Sequence, residues 1–165
     1  MPRYKQTNRL SRQDAAYIAG LIDGEGTIAL TRRHRNENRQ LEISVSSTEF
    51  ALLDFVLERV GAGRISRKKR YSNQHACSAA YVVSNRQAFS LLEQIQPDLR
   101  SYEAKRGRLV LDHYTELTPR NGKYTVELSL QRTIFLRQFA ETRARTYQPP
   151  VELVDISATS REGSS

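Results

Sequence analysis

The stretch from Tyr17 to Gly26 ends on two carboxylates, Asp23 and Glu25, set among glycines. Its first half, Tyr17-Ile18-Ala19-Gly20-Leu21-Ile22, reads as helix, and Gly24 and Gly26 mark where that helix stops. Carboxylates are favoured at helix N-termini, because the macrodipole makes the C-terminus negative. Here two acids crowd the negative end, and no Lys or Arg lies between Asp14 and Arg32 to answer them. A divalent cation resolves such a conflict, taking a carboxylate oxygen and an unpaired terminal carbonyl as hard ligands. A solvated helix end followed by a glycine turn is the reading without a metal. Local physics alone favours neither.

Other constellations are weaker. His34, His75 and His113 have no zinc-like spacing with one another or with Cys77. Pro97-Asp98 with Glu103-Ala104-Lys105 superficially resembles one nuclease signature, but the interval is short and the segment reads helical. There is no Walker loop and no nucleophilic triad signature. Gly20 costs the helix roughly 1 kcal/mol relative to alanine. With Ala16 one turn earlier on the same face, it leaves room for another helix to approach.

The elements that must position the two acids follow from periodicity. Ser11 is the expected N-cap of the first helix, with Asp14 at its third position, and the helix runs to about Asp23. A strand from Thr27 to about Arg33 and a polar tip, His34 to Asn38, lead to Gln40–Ser46. That segment alternates without a fault, turning Leu41, Ile43 and Val45 inward. Ser47 or Thr48 should cap a second helix, whose Leu53, Val56, Leu57 and Val60 fall at i, i+3, i+4 and i+7. The pattern then repeats: Gly61-Ala62-Gly63, strands at 64–70 and 77–84, and a third helix with Ala88, Leu91, Leu92 and Ile95 inward. Pro97 breaks the chain before helices at about 99–117 and 125–145. The predicted class is α+β, with an α-β-β-α-β-β-α core, antiparallel hairpins with one wet face, and C-terminal helices. Residues 1–150 form one domain, of which 1–10 read as a basic, weakly ordered arm. Residues 151–165 read as a flexible tail in which Val151, Leu153, Val154 and Ile156 are available for docking.

A chain of 165 residues, 38% hydrophobic and 27% charged, can build one core. No run approaches the ~18 apolar residues of a membrane span, so no membrane partner is expected. A single cysteine agrees with a reducing, intracellular setting, and an organelle and a prokaryotic cytoplasm are not told apart. The net charge of +8 suggests a polyanionic partner, nucleic acid above all. The cations cluster at Arg32, Arg33, Arg35 and Arg39, at Arg64 and 67–70, and at Arg100, Lys105, Arg106 and Arg108. Two of these clusters fall on the predicted hairpins.

The stretch from Ile18 to Gly26 resembles the motif of the LAGLIDADG homing endonucleases, matching at Ala19, Gly20, Leu21, Ile22, Asp23 and Gly26. It departs at Ile18, Gly24 and Glu25, changes that the family tolerates. The resemblance covers roughly Asp14 to Leu111 and implies the same element order, with the four strands forming a saddle.

It also implies a function: a homodimeric, site-specific endonuclease that cuts both strands of a long, roughly palindromic DNA duplex with Mg2+ or another divalent cation such as Mn2+. The motif's eighth position, Glu25, would hold the metal, with the carbonyl of Gly24 as a second ligand. Asp23 ranks lower, because in this family it is more often helix-end structure. Ser47 falls where the family places a polar, water-ordering side chain. Lys105, or Arg106 after a one-residue insertion, falls where it places a basic one. The dimer would pack through Ala16, Ala19 and Gly20. Arg33, Arg35, Gln40, Glu42, Ser44, Arg64, Ser66 and Lys68 would face the major groove, where Arg and Gln read guanine and adenine edges and Glu accepts from cytosine. A maturase binding its host intron RNA and a non-cleaving DNA-binding regulator are the alternatives on the same scaffold. An acid retained at position 25 argues against the second.

Overall fold

A computed structural model describes residues 6–67 and 78–143. Lys68 and Cys77, the start of the arm and the tail therefore lie outside the described residues. The order is α1 (Arg12–Glu25), β1 (Gly26–Thr31), β2 (Gln40–Ser47), α2 (Phe50–Val60), β3 (Arg64–Arg67), β4 (Ala79–Ser84), α3 (Asn85–Ile95), a 3-10 turn (Gln96–Asp98), α4 (Tyr102–His113) and α5 (Val126–Glu141). The α-β-β-α-β-β-α core and the further helices are as the sequence predicts.

The four strands form one antiparallel sheet in the order β1-β2-β4-β3. The strict alternation of β2 puts Leu41, Ile43 and Val45 at zero exposure on one face. There they meet Ile18, Ala19 and Ile22 of α1, Leu53 and Val56 of α2, and Leu91, Leu92 and Ile95 of α3 in one core. Each fully buried large aliphatic contributes about 1.5–3 kcal/mol, so this three-helix layer is what holds the sheet.

Boundaries move where tertiary partners intervene. α1 runs two residues past Asp23, because the Gly26 N–H donates to the Ile22 carbonyl and extends the last turn. β1 ends at Thr31, so Arg32 and Arg33 belong to the hairpin loop. α2 begins at Phe50 after Glu49, and Ser47 Oγ instead accepts from the Glu49 N–H at 2.9 Å. α4 begins only at Tyr102, after the 3-10 turn at Pro97. Residues 6–10, expected as part of a loose arm, are pinned. Asn8 donates from its backbone N–H to the Val60 carbonyl at 2.8 Å and from Nδ2 to the Arg59 carbonyl at 3.2 Å. These are end carbonyls of α2 that lack helical partners. Gln94 accepts from the Leu10 N–H at 2.8 Å and donates to the Asn8 carbonyl at 3.1 Å.

Two buried tyrosines tie layers together. Tyr81 OH donates to the Ala62 carbonyl at 2.7 Å, and Tyr114 OH accepts from the Leu41 N–H at 3.0 Å while donating to Asn85 Oδ1 at 3.2 Å. Desolvation pushes both phenols above the usual tyrosine range. No helix among the described residues is long and apolar enough to cross a membrane.

Candidate active site and nucleic-acid interface

The two acids at the end of α1 have different surroundings. Asp23 Oδ2 accepts from the Arg100 N–H at 2.7 Å, while Oδ1 accepts from the Ser101 N–H at 3.0 Å and Ser101 Oγ–H at 2.6 Å. Ser101 Oγ in turn accepts from the Glu103 N–H at 3.1 Å as the N-cap of α4. Asp23 thus sits at the positive end of another helix, which answers its conflict with the negative end of its own. Nothing comparable answers Glu25. It is exposed, and no described residue donates a hydrogen bond to it or pairs with it. The expectation of a catalytic Asp23, ranked below Glu25, meets a carboxylate already filled by three donors from the start of α4.

The chain beyond Glu25 is anchored to the same turn of α4. Glu103, at zero exposure, accepts from the Ile28 N–H at 3.0 Å and from Thr27 Oγ1–H at 3.2 Å. Arg106 donates from Nη1 to the Ile28 carbonyl at 3.1 Å and from Nε to the Thr142 carbonyl at 3.0 Å, and lies 3.7 Å from Glu103 Oε1. Its guanidinium is flanked by the rings of Tyr102 and Phe139, 4.9 and 5.1 Å away. Hydrogen bonding to the Glu103 carboxylate pushes the Tyr102 phenol above its usual range, burial adding to it. Because β1 is an edge strand, the N–H and C=O of Ile28 have no strand neighbour on that side, and Glu103 and Arg106 supply what a fifth strand would. Glu25 therefore sits between two anchor points, Asp23 and Thr27–Ile28, both on the first turns of α4. Nothing in the sequence singles out Glu103 for this role, since a Ser two residues earlier and an Arg three residues later are common on surface helices.

Two expected active-site residues are not brought to this junction. Lys105 is exposed and lies two positions from Glu103, roughly the opposite side of α4. It lines an open groove between α4 and α5 with Arg108, Asp112 and Gln138. Arg106, the other choice, is held by Ile28 and Thr142. The basic residue tied to the motif is Arg100, through its amide. Ser47 has the parity of the core face of β2, and its oxygen serves the entry to α2. The register that pairs Gly26 with Val45 makes Ser46 the open-face residue beside the end of α1.

Across the open face, Thr27–Ser44–Val82–Arg64 form one row, Ala29–Glu42–Ser84 a second, and Ser46–Ala80–Ser66 a third. Gln40, Glu42, Ser44, Arg64 and Ser66 all have the outward parity expected of them. The middle of the face carries no cation: β4 contributes Ala80 and Val82, 8% and 9% exposed, and β2 contributes Ser44, Ser46 and the acid Glu42. Positive charge sits at the rim. Arg64 lies on edge strand β3, while Arg33 and Arg35 lie on the β1–β2 loop with no guanidinium partner among the described residues. Arg32 braces that loop by donating to the Arg35 carbonyl at 3.0 Å, and Arg39 donates to the Leu30 carbonyl at 3.0 Å. Buried Arg132 of α5 holds the base of the hairpin, donating to the carbonyls of Arg39 and Leu117.

On α1, Ala16 and Gly20 are exposed on one face. Ala19 is not with them: at zero exposure it belongs to the chain's own core, so its assignment to a dimer contact is corrected. A Cβ added at Gly20 or Gly24 would meet nothing within 4 Å, whereas one at Gly26 would stand 2.7 Å from Ile22 Cα and 2.8 Å from the Ser44 carbonyl oxygen. Of these three, only Gly26 is required by packing against the described residues.

The sequence profile of the LAGLIDADG-like domain matches residues 12–96, more than half of the chain and the whole run from α1 to the end of α3. The chain belongs to the LAGLIDADG family. Its fold is that of the homing endonucleases. The homing endonuclease I-CvuI, solved with its DNA target in the presence of calcium, is 16% identical, with a TM-score of 0.65 over 84% of this chain and 87% of that one. The archaeal intron-encoded I-Vdi141I, complexed with DNA, is 14% identical, with a TM-score of 0.54 over 82% and 87%. The group I intron-encoded I-CeuI, also complexed with DNA, is 13% identical, with a TM-score of 0.54 over 87% and 72%. Each of these likenesses covers more of the chain than the profile match does. The motif helix α1 runs straight into the first strand of the sheet, Glu25 being followed directly by Gly26.

Proposed function

We propose that two copies of this LAGLIDADG chain hydrolyse phosphodiester bonds in both strands of a DNA duplex, with Glu25 as the metal ligand of each copy. The observation that carries the reading is the unpartnered Glu25 carboxylate, held between two fixed points at the end of a helix whose other acid is fully engaged. Among the described residues no group of three or more His, Cys, Asp or Glu could hold a metal. One Glu25 with the Gly24 carbonyl is half of an oxygen-ligand set, and a second chain with the scissile phosphate supplies the other half. Gly20 supports the pairing: it weakens α1, yet nothing in its own chain needs the missing side chain.

A divalent cation bound there, Mg2+ or Mn2+, supplies a Lewis acid and a water acidified toward hydroxide. The protein's part is positional. Asp23 and Glu103 hold the backbone on either side of Glu25, so the carboxylate is presented in a fixed direction. Arg33, Arg35 and Arg64 at the rim contact phosphates and set the register on the duplex. Gln40, Glu42, Ser44 and Ser66 stand where base edges in the major groove would lie, beside the apolar Ala80 and Val82 of β4, which admit close approach.

The test is cleavage of a randomised duplex library with magnesium by the native protein and by Glu25→Gln. Discrete cuts, lost in the variant while DNA binding persists, support the reading. Equal cutting by both proteins places the metal elsewhere. Absence of cutting together with tight binding of an intron RNA refutes the nuclease reading in favour of a maturase.

A further inference from the structure

The face of α5 opposite its buried side carries Val126, Leu130 and Ile134, which are 81%, 62% and 57% exposed. They fall at i, i+4 and i+8, one above another along the helix. The other side of α5 is the one that docks, through Arg132, Phe135 and Phe139. Single exposed aliphatics are ordinary, but three in line on one helix face form a patch that water does not favour. The patch is not part of the sheet face, and its apolar character does not suit a phosphate backbone.

We propose that the segment Val151–Ile156 of the same chain covers this stripe. Residues 144–165 follow the described part of the chain, and their apolar side chains are concentrated in Val151, Leu153, Val154 and Ile156. The nine residues after Ile156 contain one apolar side chain, Ala158. Reach is sufficient. Residues 144–150 span up to roughly 23 Å when extended, while Ile134 and Leu130 lie only about 10 and 17 Å back along the helix from Glu141. Charge agrees as well. Arg137 continues the stripe on the same face without a described partner, and Glu152 and Asp155 lie within the apolar segment. Tethering raises the local concentration of the segment to the order of millimolar, an advantage that a second copy of α5 lacks.

Hydrogen exchange on the full-length protein tests this, comparing wild type with Leu130→Asp/Ile134→Asp and with Leu153→Asp/Val154→Asp, alongside sedimentation at several concentrations. Leu130 and Ile134 are exposed, so their replacement leaves the core intact. The expected result is that amides of 151–156 exchange at least about tenfold more slowly in wild type than in either variant. Binding of an apolar dye should rise when the tail is altered. Wild-type amides of 151–156 exchanging at the rate of an unprotected chain would overturn the proposal, as would protection that survives Leu130→Asp/Ile134→Asp. Loss of an oligomer in that variant, with 151–156 unprotected throughout, would assign the stripe to a second copy and refute docking of the tail.

Discussion

Glu103→Ala tests the anchoring of the motif most directly. The native carboxylate accepts from the Ile28 N–H and the Thr27 hydroxyl and stands 3.7 Å from the Arg106 guanidinium, with its side chain 1% exposed. Truncation orphans a buried backbone donor, at a cost of about 1–3 kcal/mol. It also leaves Arg106, 17% exposed, without its counter-charge. Breaking a buried pair from one side costs about 3–5 kcal/mol. Arg106 keeps two carbonyl acceptors, and the terms overlap, so the expected loss is about 3–5 kcal/mol in total. At roughly 2–4 °C per kcal/mol for a chain of this size, the midpoint should fall by about 6–20 °C. Glu103→Gln keeps the shape and one acceptor oxygen and should cost about 1–2 kcal/mol. Equilibrium urea unfolding followed by circular dichroism measures both variants. Thr27→Val in each background closes a cycle whose coupling should be at least about 0.5 kcal/mol. An alanine variant within about 1 kcal/mol of wild type would mean that Glu103 does not seal the edge of β1, and the double anchoring of Glu25 would fall with it.

The motif glycines should separate by position. Gly26→Ala forces a Cβ against Ile22 Cα and the Ser44 carbonyl and should destabilise by about 1–3 kcal/mol in thermal melts, whereas Gly24→Ala, with open space above it, should be tolerated. Gly20→Ala should stabilise an isolated chain by roughly 1 kcal/mol while weakening self-association in sedimentation equilibrium, and unchanged self-association would count against a dimer through α1. Alkaline pH should destabilise the fold. The folded Tyr81 phenol is raised from 10.0, so its contribution is intact below the unfolded value and is lost as pH rises past it. Urea midpoints should drop above about pH 10, and less so in Tyr81→Phe.

Leu41, Ile43 and Val45 on β2, and Ala88, Leu91, Leu92 and Ile95 on α3, were readable because a strand repeats every two residues and a helix every 3.6, and one buried face prints that period on the chain. The same rule was available for Ala19, which falls with Ala15, Ile18 and Ile22 in one i, i+3, i+4, i+7 stripe, while Ala16 and Gly20 lie on the other face. The basic faces expected on both hairpins were only partly right. Rim and floor of a sheet differ in their neighbours, and Ala80 and Val82 become floor only through the pairing of β4 between β2 and β3.

By itself the chain determined its elements, the order of its core and the place where a helix would end on two acids, because each of these depends on neighbours within about a turn. Which acid stays free was decided only by the tertiary structure. Asp23 and Glu25 are two residues apart, carry the same charge and share the same helix end, so nothing local distinguishes them. The start of α4, some 77 residues further on, delivers two N–H groups and a hydroxyl to Asp23 and then takes hold of Thr27 and Ile28 through Glu103. Lys105 is turned outward for the same reason: once Glu103 and Arg106 face β1, helical geometry leaves position 105 facing solvent.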